Sequence, residues 1–292
     1  MKKNPVYRQE TTAGSRSFKL PLVILIFNSI LALVALLDMY SMINQVRQTA
    51  EIQYSSFLSL YVFAASVEFV MLLFLVPAMT AGSISGERER RTLNLLLTTQ
   101  MTAGDVVIGK LAANLSTILL LIVSSFPILA LVFIYGGITI LDAALLLLCY
   151  VTTAFLTGSI GVFCSAYFRK STIATVASYC ITVLLSLGTV AAYELSGVLG
   201  HGSGSNGSSG FFYLMLFNPG ATFRSVLSSQ IGAGNEIADF FPWLEQGPVS
   251  FVSEHWMLFG TVTQIGLAVV LVWLAVRKVE PVKRSAKRRT KQ

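Results

Sequence analysis

The sequence predicts an all-α, polytopic membrane protein of six transmembrane helices, with both termini in the cytoplasm. Three observations carry that expectation. First, 54% of the 292 residues are hydrophobic, only 12% are charged, and mean hydropathy is +0.71. A soluble domain is about 25% charged, so too little polar surface is present here to coat a globule in water. The same wealth of large apolar side chains excludes disorder. Second, six stretches approach the ~20 apolar residues that cross a bilayer core, and none alternates like a strand of a membrane barrel. Third, nineteen of the 21 Lys and Arg fall on one side of those stretches, with only Arg47 and Arg224 opposite. Such a bias marks the cytoplasmic side. It also accounts for the net charge of +7 as topology before nucleic-acid binding is considered.

The elements follow in order. Asn4 suits an N-cap and Pro5 a first helical turn, so the mixed polar and basic residues up to Lys19 read as a short interfacial helix. The spans run from Leu20 to Ile43, Phe57 to Ala81, Leu111 to Tyr135, Ile140 to Phe168, Ile173 to Tyr193 and Met257 to Val276. The first is too long for the core of a signal peptide and lacks a small-residue cleavage site. Residues 1–19 thus form an interfacial unit, 20–277 the six-span domain and 278–292 a basic tail. Lys283 to Lys291 follow a span directly and hold no aromatic residue, which fits an anchor on anionic lipid better than a nucleic-acid site. Cys149, Cys164 and Cys180 lie inside spans and read as apolar packing.

Two connecting segments carry more information. In the loop 82–109, Glu87 and Arg91 stand at an i,i+4 spacing, and Leu93, Leu96 and Leu97 share one helical face. Thr102 and Asp105 fit a capping box for the next helix. The loop therefore reads as a short amphipathic helix, a turn and a new helix start. A leucine face outside the bilayer needs cover, from the protein itself, the membrane surface or a docked partner. The segment 196–256, on the opposite side, opens with a Gly/Ser linker at 200–210. The apolar run Phe211 to Phe217 follows and is stopped by Asn218, Pro219 and Gly220. Seven residues cannot span, but they fit a re-entrant or interfacial turn. Phe240, Phe241, Trp243 and Trp256 suit an aromatic belt.

Within the spans, Glu68 is the least ordinary residue, because an ionisable group at mid-bilayer costs about 2.5–3.5 kcal/mol on insertion scales. It reads either as a hydrogen-bonded carboxyl tying helices together or as a polar lining of a translocation path. Pro77 and Pro127 interrupt the helical ladder of spans two and three. Thr157, Gly161 and Ser165 recur every four residues, as small residues do at helix contacts. Gly104 to Lys110 matches the start of a phosphate-binding loop, but Leu111 replaces the magnesium-binding hydroxyl and a membrane helix follows, so Lys110 reads as an interface anchor. Gly207 to Gly210 resembles a serine-protease signature, yet the two histidines, His201 and His255, offer no positioned base. No metal-binding cluster is present in the sequence.

The run Gly86-Glu87-Arg88-Glu89-Arg90-Arg91-Thr92-Leu93, the leucines up to Leu97, and Gly109-Lys110 resemble the loop between spans two and three of ABC-2 type exporter permeases. The start at Asn4 and Pro5, with Arg8 and Glu10, is similar to that family's approach helix. Arg91 stands where the family often has Gly, and Gln100 where it often has Pro. The resemblance implies a permease subunit in the cell membrane of a bacterium, paired with a second permease, identical or homologous. Two copies of a separate ATP-binding subunit would hold ATP and magnesium, the permease itself binding no cofactor and hydrolysing nothing. Glu87, Arg88, Glu89, Arg90, Arg91, Thr92, Leu93, Leu96 and Leu97 would form the coupling helix. Phe211, Phe217, Asn218 and Pro219 would belong to an outer gate, and Glu68 to the path. Two other readings stand beside it: a secondary transporter driven by an ion gradient, and a membrane scaffold subunit without transport. The transported substrate is not legible.

Overall fold

The computed structural model describes residues 5–49, 54–91, 102–136, 139–200, 213–231, 251–252 and 255–280. Those residues fold as helices joined by turns. Six of the helices are long and apolar enough to cross a membrane, as the hydropathy predicts.

Helix α1 (Pro5–Arg16) is the expected short amino-terminal helix. Span one is α2 (Lys19–Thr49), which continues past the expected end at Ile43. Span two is α3 (Tyr54–Thr80), with Pro77 inside it, and α4 (Ser85–Glu89) follows after one turn. Span three is α5 (Ala103–Gly136). It starts eight residues before the apolar run because Thr102 and Asp105 close the predicted capping box. Asp105 N donates to Thr102 Oγ1 at 3.1 Å, and Thr102 N donates to Asp105 Oδ2 at 3.1 Å. Span four is α6 (Ile140–Tyr167), started by a second capping box that Thr139 forms with Asp142.

Span five is interrupted. It runs as α7 (Ser171–Val183), a π-helical turn (Leu184–Gly188) and α8 (Thr189–Gly200). Helix α9 (Pro219–Ile231) is too short to span, and α10 (Trp256–Val279) is span six.

Helix α6 is the centre of the bundle, and α3, α5, α7, α9 and α10 all pack on it. Its sequence explains why. Gly158, Ser159, Gly161, Ser165 and Ala166 are buried and leave little side-chain bulk between backbones. A Cβ on Gly161 would overlap Thr80 Oγ1 and approach Ala81 N to 3.2 Å, so glycine sets how closely α3 meets α6. The predicted contact stripe of small residues is therefore a helix interface. The main apolar cluster joins Phe27 and Leu31 of α2, Tyr61, Phe69 and Leu72 of α3, Ile118 and Leu121 of α5, Tyr150 of α6, and Phe223 of α9. Helix α2 otherwise exposes its apolar side chains, including Leu25, Leu33, Leu36 and Leu37. Exposure of that kind is ordinary where lipid is the solvent.

Candidate functional site

The first candidate is the collar of polar contacts around α4. The chain leaves α3 at Thr80 and turns, which brings the α4 amino terminus against Ser165 of α6. Ser165 Oγ accepts from Ile84 N at 2.8 Å and from Ser85 N at 2.9 Å, serving two amides that the helix start leaves unpaired. It also donates to Ser85 Oγ at 3.2 Å.

Three consecutive charged residues of α4 then reach three different elements. Glu87 Oε1 lies 2.7 Å from Lys110 Nζ of α5, and the same Nζ lies 2.6 Å from Glu10 Oε1 of α1. Arg88 Nη1 donates to Ala166 O at 3.1 Å and to Phe168 O at 3.4 Å, covering carbonyls at the α6 carboxyl end. Glu89 accepts from Ser171 N at 3.0 Å and from Ser171 Oγ, which caps α7. Arg90 and Arg91 are exposed.

Two expectations change here. The i,i+4 arrangement of Glu87 and Arg91 is not kept. Arg91 has φ 59°, in the left-handed region, so it leaves the helix, and Glu87 faces Lys110 instead. Lys110 is not an anchor reaching toward the interface. Its side chain is only 5% exposed, held between two carboxylates. The stretch Gly104 to Lys110 lies within helix α5 and makes no phosphate loop.

The second candidate is the segment before span six. Residues 213–215 are helical, a turn follows at 216–217, and Asn218 then starts α9. Its Oδ1 accepts from Gly220 N at 2.8 Å, and Pro219 takes the first helical position. The apolar run does stop at Asn218, as expected, and the same Asn218 and Pro219 also begin the next helix.

Asn218 is 1% exposed. Its Nδ2 lies 2.8 Å from Ser186 O and 2.8 Å from Thr189 Oγ1. The π turn at Leu184–Gly188 opens the helical ladder there, and the Asn218 amide takes up the Ser186 carbonyl. From α10, Gln264 Nε2 donates to Asn218 O at 3.2 Å and to Thr222 Oγ1 at 2.7 Å. A Cβ on Gly260 would meet Thr222 Oγ1 at 2.6 Å, so α9 and α10 touch closely. The far end of α9 is tied by Gln230, whose Oε1 accepts from Tyr61 Oη at 2.5 Å and whose Nε2 donates to Asp142 O at 2.9 Å. Helix α9 is thus a half-helix wedged between spans four, five and six, with Phe223 stacked on Phe69 at 4.2 Å.

The third candidate is Glu68. It is 0% exposed, and its Oε1 lies 2.5 Å from Ser125 Oγ of α5. Ser125 Oγ also lies 2.7 Å from Ile122 O. The carboxyl sits within the apolar core of one chain, between α3 and α5.

With this geometry established, comparison places the molecule. Residues 5–279 match the family described as ABC-2 family transporter protein. The chain belongs to that family. A search of curated proteins gives no match. The six apolar helices and the family together make this a multi-pass membrane permease of an ABC transporter, a class that works with an ATP-binding subunit.

In this ABC-2 permease, Glu87, Arg88 and Glu89 make the collar, Arg90 and Arg91 follow it exposed, and Thr92, Leu93, Leu96 and Leu97 lie outside the described residues. Phe217, Asn218 and Pro219 meet at the turn before α9, and Phe211 lies outside the described residues. Glu68 stands apart from both. Sequence reasoning missed Gln264, Thr222 and Thr189 of the Asn218 knot. Gln264 carried the available signal, a polar side chain inside an apolar span, as Glu68 does. Nothing in the sequence marks the π turn.

Proposed function

We propose that this permease is the translocating subunit of an ATP-driven exporter in the bacterial cell membrane. Two permease chains, identical or homologous, assemble with two ATP-binding subunits that carry ATP and magnesium. The end bearing α1, α4 and the turn between α6 and α7 faces the cytoplasm, because it gathers nearly all basic residues.

One observation supports the coupling role above the others: each of three neighbouring side chains on α4 grips a different element. A push on α4 reaches α1 and α5 through Lys110, the end of α6 through Arg88, and the start of α7 through Glu89. These three residues pass force within the chain, while exposed Arg91, with the residues up to 97, meets the ATPase. Asn218, Pro219 and Phe217 form the hinge of an outer gate. Glu68 joins α3 to α5 and does not line the path. A carrier driven by an ion gradient needs its carboxylate where the ion can reach it, and enclosure of Glu68 in the core weighs against that reading.

The test uses the assembled complex. A photo-crosslinker at Arg91 is expected to capture the ATP-hydrolysing subunit. The Arg88→Ala variant is expected to bind that subunit normally while losing most cargo movement per ATP hydrolysed. Crosslinks that never reach an ATPase, or unimpaired transport in Arg88→Ala, would reject the coupling role.

A further inference from the structure

Two cavities adjoin at the basic end of the bundle and differ in chemistry. One, of about 500 Å³, lies between α1, α2 and α5 and is walled by Pro21, Val23, Ile24, Ala113, Leu120 and Leu121. The other, of about 620 Å³, lies beside α4 and is lined by Lys19, Glu10, Glu87, Arg90, Lys110 and Asn114. Both fall in the size range of ligand pockets, about 300–1,000 Å³. They share Glu10, Lys19, Met79 and Asn114 as common wall. An apolar chamber joined to a charged one fits an amphiphile.

The charges narrow the class. Lys110 is occupied by Glu10 and Glu87. Lys19 and Arg90 are exposed at the rim and form no ion pair with a described residue. Three cations against two carboxylates leave one positive charge in the chamber. Asn114 Nδ2, on the shared wall, is buried without a hydrogen-bond partner among the described residues. A phosphodiester supplies both the missing negative charge and the missing acceptor. Leu120 on the apolar wall is 48% exposed on the surface of span three, so the chamber opens toward the bilayer.

We propose that these chambers bind one singly charged anionic glycerophospholipid from the leaflet on the basic side. Its phosphate rests on Lys19, Arg90 and the Asn114 amide, and an acyl chain runs along Ile24, Leu120 and Leu121. The bound lipid is a resident of the fold, wedged beside the contacts of α1 and α4, and the proposal does not depend on what the permease exports.

Native mass spectrometry of the delipidated, full-length chain tests this, with phosphatidylglycerol, phosphatidylcholine and glycerol phosphate as separate probes. The chain is expected to retain one phosphatidylglycerol in preference to phosphatidylcholine. The Lys19→Gln/Arg90→Gln variant is expected to bind it about thirtyfold more weakly, about fivefold for each cation facing an anionic lipid. A second variant, Leu120→Trp, intrudes on the apolar chamber and leaves every charge in place, and it too is expected to lose the lipid. Unchanged retention in either variant would mean only annular lipid and would overturn the proposal. So would equal retention of phosphatidylcholine. Displacement of the lipid by glycerol phosphate at matching concentration would identify a soluble-anion site instead and would also overturn it.

Discussion

At the residue scale, Lys110 shows how far a side chain's role depends on its neighbours. In sequence it is a lysine near a span end, for which reaching toward the interface is the usual outcome. The structure surrounds it with Glu10 and Glu87 and buries it to 5% exposure. Removing the cation leaves two carboxylates facing one another. Lys110→Met is therefore expected to destabilise the protein by about 3 kcal/mol, the lower end for a broken buried pair because Glu10 keeps contact with solvent. Adding Glu10→Gln and Glu87→Gln is expected to restore most of that loss, read as the midpoint of thermal unfolding in detergent. Arg91 gives the opposite sign. It occupies the left-handed region at φ 59°, where an L side chain costs about 1–2 kcal/mol. Glycine removes that strain but adds about 0.5–1 kcal/mol of unfolded-state entropy. Arg91→Gly is expected to raise stability by about 0.5–1 kcal/mol in the same unfolding assay; a lowered midpoint would show that the Arg91 side chain makes a contact outweighing its backbone strain.

At the element scale, α4 and α9 show what was legible and what was not. The motif around Gly86 to Arg91 suggests a helix from Glu87 through the leucines, whereas α4 spans Ser85–Glu89 and Arg91 already leaves it; the leucines lie outside the described residues. The partners of Glu87, Arg88 and Glu89 were not legible, since all three contacts join residues roughly 20 to 80 positions apart. Local spacing instead offered Arg91 as the partner of Glu87. In sequence, the segment before span six is read from its apolar run alone. Its apolar run at 211–217 is obvious, but the helix that enters the bundle, α9, is amphiphilic and lies after Pro219. The stripe of Thr157, Gly161 and Ser165 read correctly, because close approach in a membrane demands small residues whatever the partner helix. Gly161→Ala is expected to cost about 1–3 kcal/mol, because a methyl there overlaps Thr80 Oγ1. Thr80→Ala should recover part of it. No recovery in the double variant would show that the α6 backbone, not Thr80, resists the methyl.

At the scale of the whole molecule, hydropathy found all six spans, because a bilayer imposes both length and composition on anything that crosses it. What it could not find is the register of span five. The π turn at Leu184–Gly188 holds one residue more than a regular helix would need over the same height. Every side chain beyond it is consequently rotated by about 100° relative to an uninterrupted α-helix. That single surplus position is what brings Thr189 round to face Asn218. Deleting Leu187, an exposed residue of the turn, should let the span close into regular α-helix and swing Thr189 away. The shortened chain should still insert, because it keeps enough apolar length, yet protease should cut it between Phe211 and Ile231 far faster than the intact chain. The segment ahead of the last span is thus indexed by an insertion of one, and the phase of one helix decides whether its neighbour has a seat.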